Sequence, residues 1–186
     1  MQAVSDWYER RYGVKLDPET GDLLSAWFPG GTGAHRTFDR GRGRCGSGAG
    51  SVLSGLCGCP SLAGAELYYM PQREENHYII DLKEIPEEVA QRAKFMIVSY
   101  PNNPTAVLAP DSFYEELIAF AKKYDIIVLH DNAYSELVFD GRTCGSFLRF
   151  PGAREVGVEF NSLSKTMDWR GHVSASAWEI RKLSVI

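Results

Sequence analysis

Phe95-Met96-Ile97-Val98-Ser99-Tyr100-Pro101-Asn102-Asn103-Pro104-Thr105 opens with four apolar residues in unbroken succession and stops in a Pro/Asn turn. A run without polar alternation suits a strand covered on both faces of a parallel sheet. Asn103 then falls just past that strand's carboxyl end. Ser112-Phe113-Tyr114-Glu115 follows, spelled like a capping box, and Phe113, Leu117, Phe120, Ala121 and Tyr124 recur at helical spacing. The spacing predicts a helix through residue 124. Asp125-Ile126-Ile127-Val128-Leu129-His130 reads as a second buried strand with Asp131 at its end, and Val156-Gly157-Val158-Glu159-Phe160 as a third that delivers Ser162 to Lys165. Strand alternating with helix predicts an α/β fold, a mostly parallel sheet flanked by helices. In such sheets ligands bind beyond the carboxyl ends of the strands, where Asn103, Asp131 and Lys165 all fall.

Working outward, Val4, Trp7, Tyr8 and Tyr12 are spaced for an amphipathic helix over residues 3–12, with Gly13 placed to end it. Residues 21–62 change character. Gly, Ser, Arg and Cys dominate there, neither the helical nor the strand period persists, and poor order is expected. A nucleotide-binding reading of the Gly-rich residues 30–50 lacks the flanking strand and helix that such a loop needs. Periodicity returns at Ala63. Ala65-Glu66-Leu67-Tyr68-Tyr69-Met70 reads as a strand, Ile79-Ile80-Asp81-Leu82 as another, and Pro86–Arg92 as a short helix.

With 186 residues and 44% hydrophobic content, one globular domain is the default. A formal charge of −4 and no extended basic cluster beyond residues 36–44 argue against a nucleic-acid partner. The first residues lack the charged and apolar regions of a leader, and no run is long enough to span a bilayer, so no membrane partner and a cytoplasmic location are expected. Cys45, Cys57 and Cys59 match no paired zinc spacing, so no metal is expected.

Four phrases, Tyr100-Pro-Asn-Asn-Pro-Thr105, Phe113-Tyr-Glu-Glu-Leu-Ile-Ala-Phe-Ala-Lys-Lys-Tyr124, His130-Asp-Asn-Ala-Tyr-Ser-Glu-Leu137 and Asn161-Ser-Leu-Ser-Lys-Thr166, jointly resemble the large domain of class I/II, fold-type I aminotransferases. The likeness runs from about Ala63 to Thr166 and is greatest to the diaminopimelate/alanine/aspartate group. It implies pyridoxal 5'-phosphate as cofactor, amino acid and 2-oxo acid substrates, and a homodimer. It further implies Lys165 as the catalytic Schiff-base lysine, which afterwards moves the substrate's Cα proton. Asp131 matches the partner of the pyridine nitrogen, Tyr134 and Asn103 the donors to the ring oxygen, and Ser162, with Ser164 assisting, the phosphate ligands. His130, beside Asp131 on a strand, points to the opposite face and is read as structural.

The chain departs from the family in several places. Val173 stands where a phosphate-gripping arginine sits eight residues after the lysine, with Arg170 out of register, and no ring-stacking aromatic is identifiable between residues 39 and 62. The small domain is expected to be absent, which leaves residues 1–166 as a partial large domain and 167–186 as a tail unlike the family. Ala106, where the family commonly has Gly, is read as a mild change because a following strand accepts Ala. Residues 21–62 and 167–186 read as segments translated out of frame: one base earlier, Trp178-Glu179-Ile180-Arg181-Lys182 permits Leu-Gly-Asn-Pro-Glu, and resequencing the gene tests this. Two alternatives to amino transfer stand beside it: a non-catalytic fragment of such an enzyme, or another reaction of the same cofactor and scaffold, such as carbon–sulfur lysis.

Overall fold

The computed structural model describes residues 2–17, 22–25, 45–49, 66–166 and 175–178. Helix α1 (Gln2–Tyr12) ends as the sequence predicts. Gly13 takes φ +69°, its N–H reaches Glu9 O at 3.0 Å, and the Val14 N–H returns to Tyr8 O. Only glycine adopts that left-handed conformation without a Cβ penalty.

Seven strands form one sheet in the order β1-β7-β6-β5-β4-β2-β3. They are β1 (Asp22–Ser25), β2 (Cys45–Ala49), β3 (Glu66–Met70), β4 (Ala93–Ser99), β5 (Ile127–Asp131), β6 (Gly157–Ser162) and β7 (Ala175–Trp178). The pairs from β3 through β2, β4 and β5 to β6 are parallel, and β7 runs antiparallel to both β6 and β1. Two described pieces of the Gly-rich stretch are therefore strands, and the rest of residues 21–62 lies outside the described residues, as do 167–174 and 179–186.

Side chains alternate across the central strands. Met96 and Val98 of β4 and Val128 of β5 face the larger apolar cluster, whereas Ile97, Leu129, Val158 and Phe160 form a second cluster on the opposite face. Helix α2 (Glu87–Arg92) contributes Ala90 to the larger cluster. Helix α3 (Asp111–Tyr124) buries Phe113, Leu117 and Ala121 there as its spacing predicts, adds Tyr114 and Ile118, and packs Phe120 and Tyr124 against the cluster half-buried. Leu117 is fully buried, so truncating it to Ala costs about 2–5 kcal/mol. No helix among the described residues is long and apolar enough to cross a membrane.

Four local expectations need correction. Ser112 does not cap α3. Pro110 is the N-cap, extended at φ −69° and ψ 159°, and its carbonyl accepts the Phe113 N–H at 3.0 Å, which leaves Ser112 exposed inside the first turn. Ile79–Leu82 is not a strand. The Ile80 N–H donates to the Tyr100 hydroxyl at 2.9 Å and Asp81 Oδ1 accepts from Lys83 N at 2.9 Å, starting the 3-10 turn Leu82–Glu84. Val156 closes the helical turn α4 (Ala153–Val156), so β6 begins at Gly157. Ala106 begins no strand. It lies at φ +52°, with its N–H on Asn102 O at 2.7 Å, in the region where an L side chain is disfavoured.

Candidate functional site

Strands β4 and β5 end level with one another, and β6 runs two residues further. Ser99 pairs with Asp131, Asp131 pairs with Phe160, and the Asn132 N–H extends the ladder to Phe160 O at 2.8 Å. The Ser99 hydroxyl donates to the Asp131 carbonyl at 3.1 Å, tying the β4 and β5 ends together. Alternation puts the Asp131 side chain with Leu129, and that of Ser162 with Phe160, on the face of the smaller apolar cluster.

Asp131 is only 4% exposed. Its Oδ1 accepts the Ala133 N–H at 3.3 Å, and among the described residues Oδ2 accepts no hydrogen bond. Burial pushes the carboxyl above its ordinary range, and the Ala133 N–H and the neighbouring His130 offset only part of that. A buried carboxylate oxygen without a donor at a strand end is a group prepared for a cationic or N–H partner.

Ser162, buried, ends β6, and the chain turns at once into α5 (Leu163–Thr166). Lys165, exposed, is the third residue of that turn, and its Nζ lies 5.6 Å from the centre of the Tyr134 ring. Tyr134 belongs to the turn after β5, whose Leu137 N–H donates to Tyr134 O at 2.9 Å. Asn103 is exposed in the turn after β4. That turn is pinned by its neighbours: the Tyr100 hydroxyl meets Gln72 Nε2 at 3.0 Å, and Asn102 Nδ2 donates to Gln72 Oε1 at 3.3 Å. The Ser164 side chain lies outside the described residues.

His130 sits behind the site, as its place next to Asp131 requires. Its Nδ1 is 3.1 Å from Glu159 Oε2, within the larger cluster's face. Glu159 also receives the Tyr8 hydroxyl, the Ser146 hydroxyl and the Phe147 N–H, at 2.9, 2.9 and 2.7 Å. A second set missed by sequence reasoning joins Arg11 and Tyr12 of α1 to Glu136, and Tyr12 to Ser135. Burial holds the Tyr12 phenol well above its ordinary range, so it stays a donor. The sequence signal for the first set was Glu159, a charged residue between the apolar Val158 and Phe160 of β6.

The chemistry of these strand-end groups fits pyridoxal phosphate: an amine at Lys165, a buried carboxylate at Asp131, and hydroxyls at Tyr134 and Ser162.

A mostly parallel α/β sheet flanked by helices is the large-domain architecture of fold-type I pyridoxal-phosphate enzymes. The chain superimposes on substrate-bound BacF from Bacillus subtilis with a TM-score of 0.91 at 34% identity, over 98% of this chain and 46% of that one. It matches a probable N-succinyldiaminopimelate aminotransferase from Thermus thermophilus with a TM-score of 0.87 at 32% identity, over 98% and 49%. The family model for class I and II aminotransferases matches residues 59–180, reaching past residue 166 into the stretch set apart by its sequence. The chain belongs to that family. It is 44% identical to the LL-diaminopimelate aminotransferase of Moorella thermoacetica over 177 residues, covering 91% of this chain and 44% of the relative. To that of Halothermothrix orenii it is 42% identical over 192 aligned positions, covering 100% and 47%. The chain thus spans less than half the length of these curated relatives.

Proposed function

We propose that this chain carries the cofactor-holding part of a pyridoxal-phosphate-dependent aminotransferase that moves an amino group from an amino acid to a 2-oxo acid. The observation that supports this best is the meeting, at the ends of β5 and β6, of the Lys165 amine with the Tyr134 ring beside buried Asp131. When bound, the cofactor supplies an aldehyde and an electron-withdrawing ring.

Lys165 would hold the cofactor through its amine and, when that amine is free, would take the proton from the substrate's Cα and deliver it elsewhere on the substrate–cofactor assembly. Asp131 would hold the ring nitrogen and favour its protonated form, an attraction strengthened by the low dielectric around a buried carboxylate. Tyr134 and Asn103 donate to the ring oxygen. Ser162 and Ser164 hold the phosphate through donors that need no desolvated charge.

The relatives' names point to a substrate of the diaminopimelate type, and we assign that class to the whole protein on that ground, while a homodimeric assembly rests on the family resemblance alone. Borohydride reduction of protein incubated with pyridoxal phosphate, followed by peptide mass analysis, tests the reading. Cofactor mass fixed on Lys165 is expected, and its absence, or its scatter over surface lysines, would overturn it.

A further inference from the structure

The turns that carry Tyr134 and Lys165 are joined through one side chain behind the site. Asn161 of β6 is 5% exposed, and alternation along the strand turns it to the face opposite Ser162. Its Oδ1 accepts the Ser162 N–H at 2.7 Å and the Thr166 hydroxyl at 3.5 Å, so it grips both ends of the turn that presents Lys165. Its Nδ2 donates to Ser135 Oγ at 3.4 Å, in the residue next to Tyr134. Ser135 has no solvent exposure, and its hydroxyl lies 2.9 Å from the Tyr12 hydroxyl, itself 2.8 Å from Glu136 Oε1. Arg11 closes the far end by meeting both oxygens of Glu136 at 2.9 and 3.0 Å.

We infer that Asn161 is a positioning residue that fixes Lys165 relative to Tyr134, an inference that rests on the cofactor reading above. An amide suits the task because it donates on one side and accepts on the other. A carboxylate keeps only the accepting side, and a methyl keeps neither. Asn161 touches no reacting atom in this arrangement. It acts through the Ser162 N–H, the Thr166 hydroxyl and Ser135, and its burial makes each of these bonds costly to lose.

The test compares N161A and N161D with the wild-type chain by two readouts. The first, amide hydrogen exchange of cofactor-free protein, is expected to show Ser162 exchanging about tenfold faster in N161A, and as in the wild type in N161D, with Val98 of β4 unchanged in both. The second, the rate at which pyridoxal phosphate becomes borohydride-trappable at Lys165, is expected to fall about tenfold in N161A and less in N161D. Protection of Ser162 in N161A, equal loss at Val98, or wild-type attachment in both variants would overturn the inference. Should N161A not fold, N161D decides alone: slower attachment with Ser162 still protected supports it, and unchanged attachment overturns it. If wild-type protein never attaches the cofactor, the functional reading fails, and the exchange result still decides the role of Asn161 in holding the Lys165 turn.

Discussion

His130 Nδ1 lies 3.1 Å from Glu159 Oε2, and neither side chain has any solvent exposure. Through Glu159, helix α1, the 3-10 turn Phe147–Arg149 and strands β5 and β6 are tied at one point directly behind Asp131. The Tyr8 and Ser146 hydroxyls, the Phe147 N–H and the His130 ring converge on one buried carboxylate, so removing it takes away the acceptor of the Phe147 N–H and the Ser146 hydroxyl in a site shut off from water. Glu159→Ala is expected to cost about 3–5 kcal/mol in denaturant unfolding. A loss below about 1 kcal/mol would mean that water or neighbouring groups replace the carboxylate easily.

Ala106 calls for the opposite change. Its φ of +52° suits glycine, and the 2.7 Å bond from its N–H to Asn102 O keeps the backbone there. Ala106→Gly is expected to stabilise the chain by about 0.5–1 kcal/mol, read as a higher denaturant midpoint at unchanged slope. A lower midpoint would show that the entropy glycine adds to the unfolded chain outweighs the relieved strain.

Asp131 makes the cofactor-free protein sensitive to pH. Burial raises its folded-state pKa above the unfolded value, so between the two the folded state binds more protons and stability falls as pH rises. Above the folded pKa the full cost of the buried anion is felt. Below the unfolded value, at about pH 4, it vanishes. Asp131→Asn is therefore expected to melt higher than wild type at pH 7 and equally at acid pH. Equal melting at pH 7 would mean that the anion is already compensated without cofactor.

What the sequence made legible was local. β4, α3 and β5 follow from apolar runs and a helical stripe, and because each strand run stops at a turn, the place of Asp131 at the end of β5 followed with them, as the run before Phe160 led to Ser162 and the turn that carries Lys165. Strand β2 did not announce itself. Cys45-Gly46-Ser47-Gly48-Ala49 has neither β-branched residues nor alternation, and it is a strand by pairing with β3 on one side and β4 on the other. Ile79–Leu82 failed for the reverse reason. It is apolar enough for a strand, but the Tyr100 hydroxyl takes the Ile80 N–H that a ladder would use. The Asn161–Ser135 bridge joins turns that follow different strands, so no spacing along the chain foretells it.

Everything proposed for the site depends on Lys165 and its neighbours holding pyridoxal phosphate. Absorbance during titration with the cofactor tests it most directly, comparing wild type with Lys165→Ala. A saturable visible band distinct from free cofactor is expected in the wild type, and its loss in the variant while the fold is kept. No band at saturating cofactor, or the same band without Lys165, would contradict it.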